Sequence, residues 1–393
     1  MGIKLPSGFR ANGLNCGLKR KKKDLALIYS DSVCEASALF TPNRFKAAPV
    51  TLSIKNLRGG RAQAVVINSA NANCSTGRAG YADALSVNKA AAKALSLPLN
   101  RVIVASTGVI GKRLDAGKII DAVPSLVKGL SQNGIYLAAE AMMTTDSFMK
   151  VAHKSIDISG RRVSIVGMAK GAGMISPNMA TMLAVFMTDA GIEKAALRRA
   201  FKDAVMNSFN SITVDGDMST NDMAAILANG RAGNTVIGLS SASYKKFSSA
   251  LNDISLKLAL MIIKDGEGAT RSAKIEVTGA SSKEAAERAA RRIAESPLLK
   301  TMLYGTDPNP GRIVAALGAS GVKIGKKGAD IYICGKHVFK GEAILPHNRS
   351  SLKKAMTRDM VDVRIVLKEG RHARVIYTCD LTPAYININK GYS

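Results

Sequence analysis

The stretch from Lys170 to Asp189, KGAGMISPNMATMLAVFMTD, holds the residues best suited to chemistry. A glycine-rich approach and a Pro177-Asn178 turn lead to a small residue, Ala180, then to Thr181, then to an apolar run of strand character. Such a turn can strain a peptide bond and present the next hydroxyl to the preceding carbonyl, the geometry an N-to-O acyl shift requires. Hydrolysis of that ester would cut the chain between Ala180 and Thr181 and free a terminal threonine. A threonine hydroxyl is a weak nucleophile alone, but an α-amino group of pKa about 8 on the same residue can serve as its general base. No histidine is then needed, which suits a chain whose four (His153, His337, His347, His372) are scattered. On spacing alone, a Gly/Pro turn entering a buried strand is the more economical account of the same residues.

Other constellations fail on spacing. Gly108-Val-Ile-Gly111-Lys112 and Gly321-Val-Lys-Ile-Gly325-Lys326 end in Gly-Lys but lack the four-residue spacer and the Ser/Thr of a phosphate loop. Asp215, Asp217 and Asp222 in VDGDMSTND lack the spacing of a calcium loop and read as a polar loop. There is no GxSxG elbow, no HExxH and no CxxC pair. The five cysteines are widely spaced, so reduced thiols are expected, and neither a metal site nor a bound cofactor is.

Composition bounds the remaining classes. With 47 % hydrophobic and 22 % charged residues the 393-residue chain is of ordinary globular make-up. Its longest apolar stretch, Met182 to Met187 with Met179 and Ala180, is far short of the roughly 20 residues that span a bilayer. The amino terminus carries no apolar or amphipathic leader, so a cytoplasmic location and no membrane partner are expected. A net charge of +27 raises nucleic acid as a partner. The charge is dispersed, however, apart from Lys19-Arg20-Lys21-Lys22-Lys23, which reads as a solvated turn, and no nucleic-acid-binding pattern accompanies it.

The elements that must position this chemistry alternate irregularly. Leu25–Tyr29, Ala64–Asn68 and Val102–Ala105 read as strands, as do Asp330–Cys334, Val361–Leu367 and Ala373–Thr378. Helical spacing marks Tyr81–Leu97, Leu114–Leu130, Glu193–Phe209, Ser243–Lys264 and Lys283–Glu295, the last stopped by Pro297. The Val361–Thr378 region, with Glu369-Gly370-Arg371 at its turn, suggests an antiparallel hairpin. Without a regular βαβ rhythm, the pattern favours a layered mixed α/β architecture of stacked sheets flanked by helices over a doubly wound parallel sheet.

The segment AKGAGMISPNMATMLAVFMTDA closely resembles the self-cleavage region of the ornithine acetyltransferase family, also called glutamate N-acetyltransferases. The likeness runs along nearly the whole chain: GFRANG, FTPNRFKAAPV, INSANANCSTG, VASTGVIG, MMTTDS, SFNSITVDGDMSTNDMAAILANG, KDGEGAT, DPNPGRI and the closing YININKGYS. The resemblance implies an α/β/β/α-type sandwich of the amino-terminal-nucleophile kind. It also implies an amino-terminal chain of residues 1–180 and a carboxy-terminal chain of residues 181–393, two copies of each assembling together. Thr181 would take acetyl from N2-acetylornithine, release ornithine, and pass the acetyl group to glutamate in cyclic arginine biosynthesis. Some family members also use acetyl-CoA as co-substrate, and no residue of this chain decides that.

By the same resemblance Thr107 and Gly108, in VASTGVIG, are the oxyanion donors, through a side-chain hydroxyl and a backbone N–H. From the residues alone they form a tight turn after the Val102–Ala105 strand, which is compatible. Substrate contacts fall on Thr144, Lys170, Thr181, Glu267 and Asn389, where Lys170 suits a carboxylate and Glu267 an ammonium. The family's closing hydroxyl stands five positions after the asparagine, whereas Ser393 stands four after Asn389, so Ser393 is a contact out of step. The family's Asn-Trp-Gly-Arg is here Asn309-Pro310-Gly311-Arg312, which removes an aromatic and a backbone donor. The rivals are an amidase or aminopeptidase with the same nucleophile, which passes the acyl group to water, and a basic nucleic-acid-binding protein.

Overall fold

The computed structural model describes residues 2–176 and 182–391. The expected cleavage point, Ala180 and Thr181, lies outside the described residues, as does Ser393. The chain forms two compact units, Met1–Asn210 with Asp217–Ile262, and Ser211–Gly216 with Ile263–Tyr392.

The first unit runs β1 (Phe9–Leu14), β2 (Leu25–Phe40), α1 (Ala48–Asn56), β3 (Arg61–Asn68), α2 (Gly77–Ala94), β4 (Val102–Ser106), α3 (Ala116–Lys128), α4 (Ile135–Met142), β5 (Lys150–Ile158), β6 (Arg161–Lys170), β7 (Leu183–Thr188), α5 (Lys194–Met206), β8 (Met223–Ala228) and α6 (Ala242–Lys264). Its strands form one sheet in the order β4-β3-β2-β8-β7-β6-β5, with β1 paired to β2. Pairing is parallel for β3 with β4 and for β7 with β8. The continuous apolar runs of β3, β7 and β8 follow from burial on both faces. Residues of α1, α2 and α3 (Leu52, Val87, Ala91, Ile119, Val123) cover the face carrying Leu25, Leu27, Val66 and Val104. The opposite face, with Ile28, Val65, Ile67 and Val185, is covered by Ala138, Ala139 and Met142 of α4. Phe186 of β7 meets Phe201 of α5 edge-on at 5.6 Å between ring centroids.

The second unit runs β9 (Ser272–Ala280), α7 (Lys283–Ala294), α8 (Pro297–Tyr304), α9 (Pro310–Gly318), β10 (Ala329–Ile333), β11 (Lys336–Gly341), β12 (Ala343–Ile344), α10 (Arg349–Ala355), β13 (Met360–Val366), β14 (His372–Cys379) and α11 (Pro383–Asn389). The sheet order is β12-β11-β10-β13-β9-β14. Ile275, Val277, Val363, Ile365 and Ile376 bury one face with Ala286, Ala289 and Ile293 of α7 and with Leu299, Met302 and Ile313 of α8 and α9. Pro310 occupies the start of α9, where the missing N–H is not needed by the helix.

The mixed α/β class, with two mixed sheets and helices, is as expected from the sequence. The expected Val361–Thr378 hairpin is not. β13 and β14 never pair with each other: β9 lies between them, parallel to β13 and antiparallel to β14. The short connection between them spans a strand instead of closing a hairpin, because the partner that fills the gap comes from about eighty residues earlier.

Candidate active site

Thr107 and Gly108 follow directly on β4, whose apolar VIVAS is buried throughout. Their turn is laced to the segment after the neighbouring strand β3. The Thr107 N–H donates to Asn68 O at 3.0 Å and the Val109 N–H to Ala70 O at 3.1 Å. Gly108 has φ +129, and a Cβ there would stand 2.2 Å from the Ala70 carbonyl carbon. Glycine is therefore the residue this close approach admits. Ala70 is itself left-handed at φ +82, a costly state for a side chain with a Cβ. Asn221 holds both segments at once, its Nδ2 donating to Ala72 O at 2.6 Å and to Ser106 O at 2.8 Å. With its two neighbours so engaged, the Gly108 N–H has no acceptor among the described residues.

Lys170 ends β6, buried, and its Nζ donates to Thr107 Oγ1 at 3.3 Å. Asp146 organises what surrounds it. Asp146 Oδ1 accepts from Lys150 Nζ at 2.7 Å and from the Gly171 N–H at 2.7 Å, while Oδ2 accepts from the Thr144 N–H at 2.9 Å. One carboxylate thus ties the Thr144 backbone to the end of β6. Burial opposes its charge, but Lys170, Lys150 and these hydrogen bonds overcome that and hold the carboxyl well below the usual carboxylate range. Lys150 and Asp146 have side chains with no exposure at all.

The basic cluster is less solvated than its composition suggests. Lys19 Nζ reaches back to Met143 O at 2.5 Å and Lys23 pairs with Glu140 at 2.8 Å. Partial burial is the main cause, with Lys170 and Lys22 adding to it, that lowers the Lys19 ammonium to about 8, against the attraction of Asp24.

Asp222, expected in a polar loop, is 1 % exposed. It precedes β8, beside the start of β7, and its Oδ1 accepts the Met182 N–H at 3.0 Å. Burial pushes this carboxyl well above the ordinary range, against the Met182 N–H, the nearby Lys170 and the Ser219 hydroxyl.

Glu267 and Asn389 belong to the second unit. Asn389 Nδ2 donates to Glu267 Oε2 at 2.8 Å and to Tyr385 O at 3.0 Å. Gly268 (φ +69) permits this pairing, since a Cβ there would stand 2.6 Å from Tyr385 N at the packed face of α11. Thr382 Oγ1 fastens the same loop by donating to Gly268 O at 2.7 Å. Within its own unit each group is brought together: Thr107 with Lys170 directly and Thr144 through Asp146 in the first, Glu267 with Asn389 in the second. Among the described residues, no three His, Cys, Asp or Glu side chains are placed to hold a metal ion, and no helix is long and apolar enough to cross a membrane.

The model of the ArgJ family matches residues 10–393. The chain belongs to the ArgJ family. The arginine biosynthesis bifunctional protein ArgJ of Caldanaerobacter subterraneus subsp. tengcongensis is 43 % identical over 397 residues, covering 99 % of this chain and 98 % of that one. The protein of the same name from Chlorobaculum tepidum is 43 % identical over 389 residues, covering 98 % and 96 %. The crystal structure of the arginine biosynthesis bifunctional protein from Bacillus halodurans superposes with a TM-score of 0.50 at 36 % identity, over 52 % of this chain and 96 % of that chain. This ArgJ-family chain is thus an enzyme, of the glutamate N-acetyltransferase kind its sequence led one to expect.

Two acids of the site carry no mark in the sequence. Asp146 sits in MMTTDS, where an acid beside two threonines carries no spacing signal of its own. Asp222 reads from VDGDMSTND as one acid of a polar loop, and its backbone partner is 40 residues away.

Proposed function

We propose that this ArgJ-family chain moves acetyl from N2-acetylornithine to glutamate through an acetyl ester on Thr181, after cutting itself between Ala180 and Thr181. In the cut, the Thr181 hydroxyl adds to the Ala180 carbonyl carbon, the Ala180–Thr181 C–N bond breaks, and water hydrolyses the ester to leave an Ala180 carboxylate and a Thr181 amine. In turnover that amine takes the hydroxyl proton, the hydroxyl adds to the acetyl carbonyl, and ornithine leaves with the proton on its α-nitrogen. Glutamate reverses the sequence. The Thr107 hydroxyl and the Gly108 N–H stabilise the oxyanion at each addition, and the roles of Thr144, Lys170, Glu267 and Asn389 in holding the amino-acid substrates go with this reading.

The observation that carries it is Lys170 Nζ at 3.3 Å from Thr107 Oγ1 in buried surroundings. A cation donating to the threonine oxygen leaves the hydroxyl proton to be given elsewhere, as an oxyanion donor must give it. Use of acetyl-CoA as a second donor, assembly of two copies of each chain and a cytoplasmic location complete the proposal.

Intact mass of freshly expressed protein beside Thr181→Ala tests the cut. Two fragments meeting at Ala180/Thr181 are expected from the native chain and one whole chain from the variant; a native chain that is whole yet active sinks the mechanism. Acetate released from N-acetylornithine without glutamate-dependent N-acetylglutamate would decide for a hydrolase.

A further inference from the structure

Asp222 is a fully buried acid on which the Met182 N–H and the Ser219 hydroxyl both act. Oδ1 accepts the Met182 N–H, while Oδ2 has no hydrogen-bond partner among the described residues. A buried carboxyl oxygen left unmatched is costly, so a fold that keeps one needs a reason. The position is held from several sides. The Asp222 carbonyl accepts the Thr41 N–H at 3.1 Å, and the Met223 N–H next to it donates to Met182 O at 3.2 Å. Asp222 is thereby locked to the residue that follows Thr181. The Thr181 and Met182 nitrogens are three covalent bonds apart, which keeps them within about 4 Å of each other.

We propose that Asp222 is a positioning residue for the chain end that begins at Thr181, Oδ1 holding the Met182 amide and Oδ2 taking the Thr181 amino group. This rests on the reading that Thr181 is the nucleophile. An α-amino group that must collect the proton of its own hydroxyl can rotate about its N–Cα bond, and only some rotations aim the lone pair at that hydroxyl. One N–H anchored on Oδ2 fixes the rotation; the ammonium that the cut creates draws the carboxyl, raised by burial, back to its charged form, and that charge in turn sets how readily the amine gives up its proton. Lys170, at the end of β6, is the charged group that acts directly on Asp222. Behind Lys170 stand Asp146, whose other partner is Lys150, and Lys19.

The variant is Asp222→Asn, which keeps an oxygen for the Met182 N–H and removes the charge. Intact mass comes first, on wild type and variant together. Where both are cut, kcat of the variant is expected to fall about 10–100-fold, part of what general-base assistance supplies. The acid limb of its pH–rate profile should move down by about one unit, as loss of a neighbouring opposite charge requires. A cut variant with the wild-type rate and limb overturns the proposal, whereas an uncut wild type overturns the Thr181 reading itself. A variant that stays whole but melts like Thr181→Ala also supports the role, because the same nitrogen is held before the cut. Should the variant not fold, the wild type decides: amine labelling of Thr181 across pH must give a higher midpoint in the folded protein than in urea, and an equal or lower midpoint overturns it.

Discussion

Lys170 Nζ stands 3.3 Å from Thr107 Oγ1, a buried cation at the end of one strand against a hydroxyl that follows another. The sheet order places β4 and β6 on different sides of β2, so the contact depends on the chain that leaves each strand and not on neighbouring pairing. Removing the hydroxyl should therefore act on chemistry more than on folding. Thr107→Val is expected to lower kcat about 100–1000-fold, the usual effect of losing one oxyanion donor, with a smaller change in KM. Thr107→Ser should recover most of the loss. Steady-state kinetics with N-acetylornithine and glutamate give both numbers, and a Thr107→Val enzyme within a few-fold of wild type would remove Thr107 from the mechanism.

Gly108→Ala tests the turn itself. The added methyl would meet the Ala70 carbonyl carbon at 2.2 Å and force an L residue to φ +129. About 1–3 kcal/mol of stability should be lost from the backbone conformation alone. Urea unfolding measures it; a variant as stable as wild type means the turn relaxes freely, and its Gly108 N–H is then poorly fixed for catalysis.

Asp146 should behave as a stabilising ion in the core of the first unit. Asp146→Asn leaves Lys150, which has no exposure, without its carboxylate, and breaking such a pair typically costs about 3–5 kcal/mol. The carboxyl is held below its ordinary range in the folded protein, so its contribution is complete above the unfolded value and is lost as the pH falls through the folded one. Acid unfolding of the wild type should accordingly have a component, below about pH 4, that the variant lacks. Parallel acid titrations by circular dichroism would refute this if the two curves merely shift without changing slope.

Lys19 gives a test in the alkaline range. Its ammonium is lowered from 10.5 to about 8. A lysine whose folded pKa is depressed costs stability while protonated, fully below about 8, and that cost disappears as the pH rises to 10.5. Measured against Lys19→Met, the wild type should gain stability between those two values. NMR of methylated lysines should show one resonance titrating near 8; its absence, or a wild type that gains nothing, contradicts the burial of this amine.

What could be read in the sequence was element type. The β-branched runs of β3 and β4 and the apolar faces of α6 and α7 report a period, and the period survived folding. Neighbourhood could not be read the same way. β13 and β14 have the alternation of a hairpin, yet the pairing that won was with β9, because register and burial favour a central strand over a local turn. The site shows the same limit. Gly108 announces a turn, but its tolerance is decided by Ala70, some forty residues back. Lys19 and Asp222 look solvated because charged residues usually are; Lys19 is half-buried and Asp222 buried, and each is held to a backbone group, Met143 O and Met182 N, which leaves no mark in composition.

The sheet order of the first unit sets a timetable. β7 and β8 stand between β2 and β6, in the middle of the sheet, although they follow the expected cut in the chain. A ribosome must deliver everything through Ala228 before the gap is filled. A nascent chain severed earlier would present β2 and β6 with bare rows of N–H and C=O groups, open to strands of other molecules. On the proposed cut the scissile bond lies just ahead of these central strands, and synthesis itself would then guard against a premature cut, since the sheet of the first unit has to be complete before a site could form.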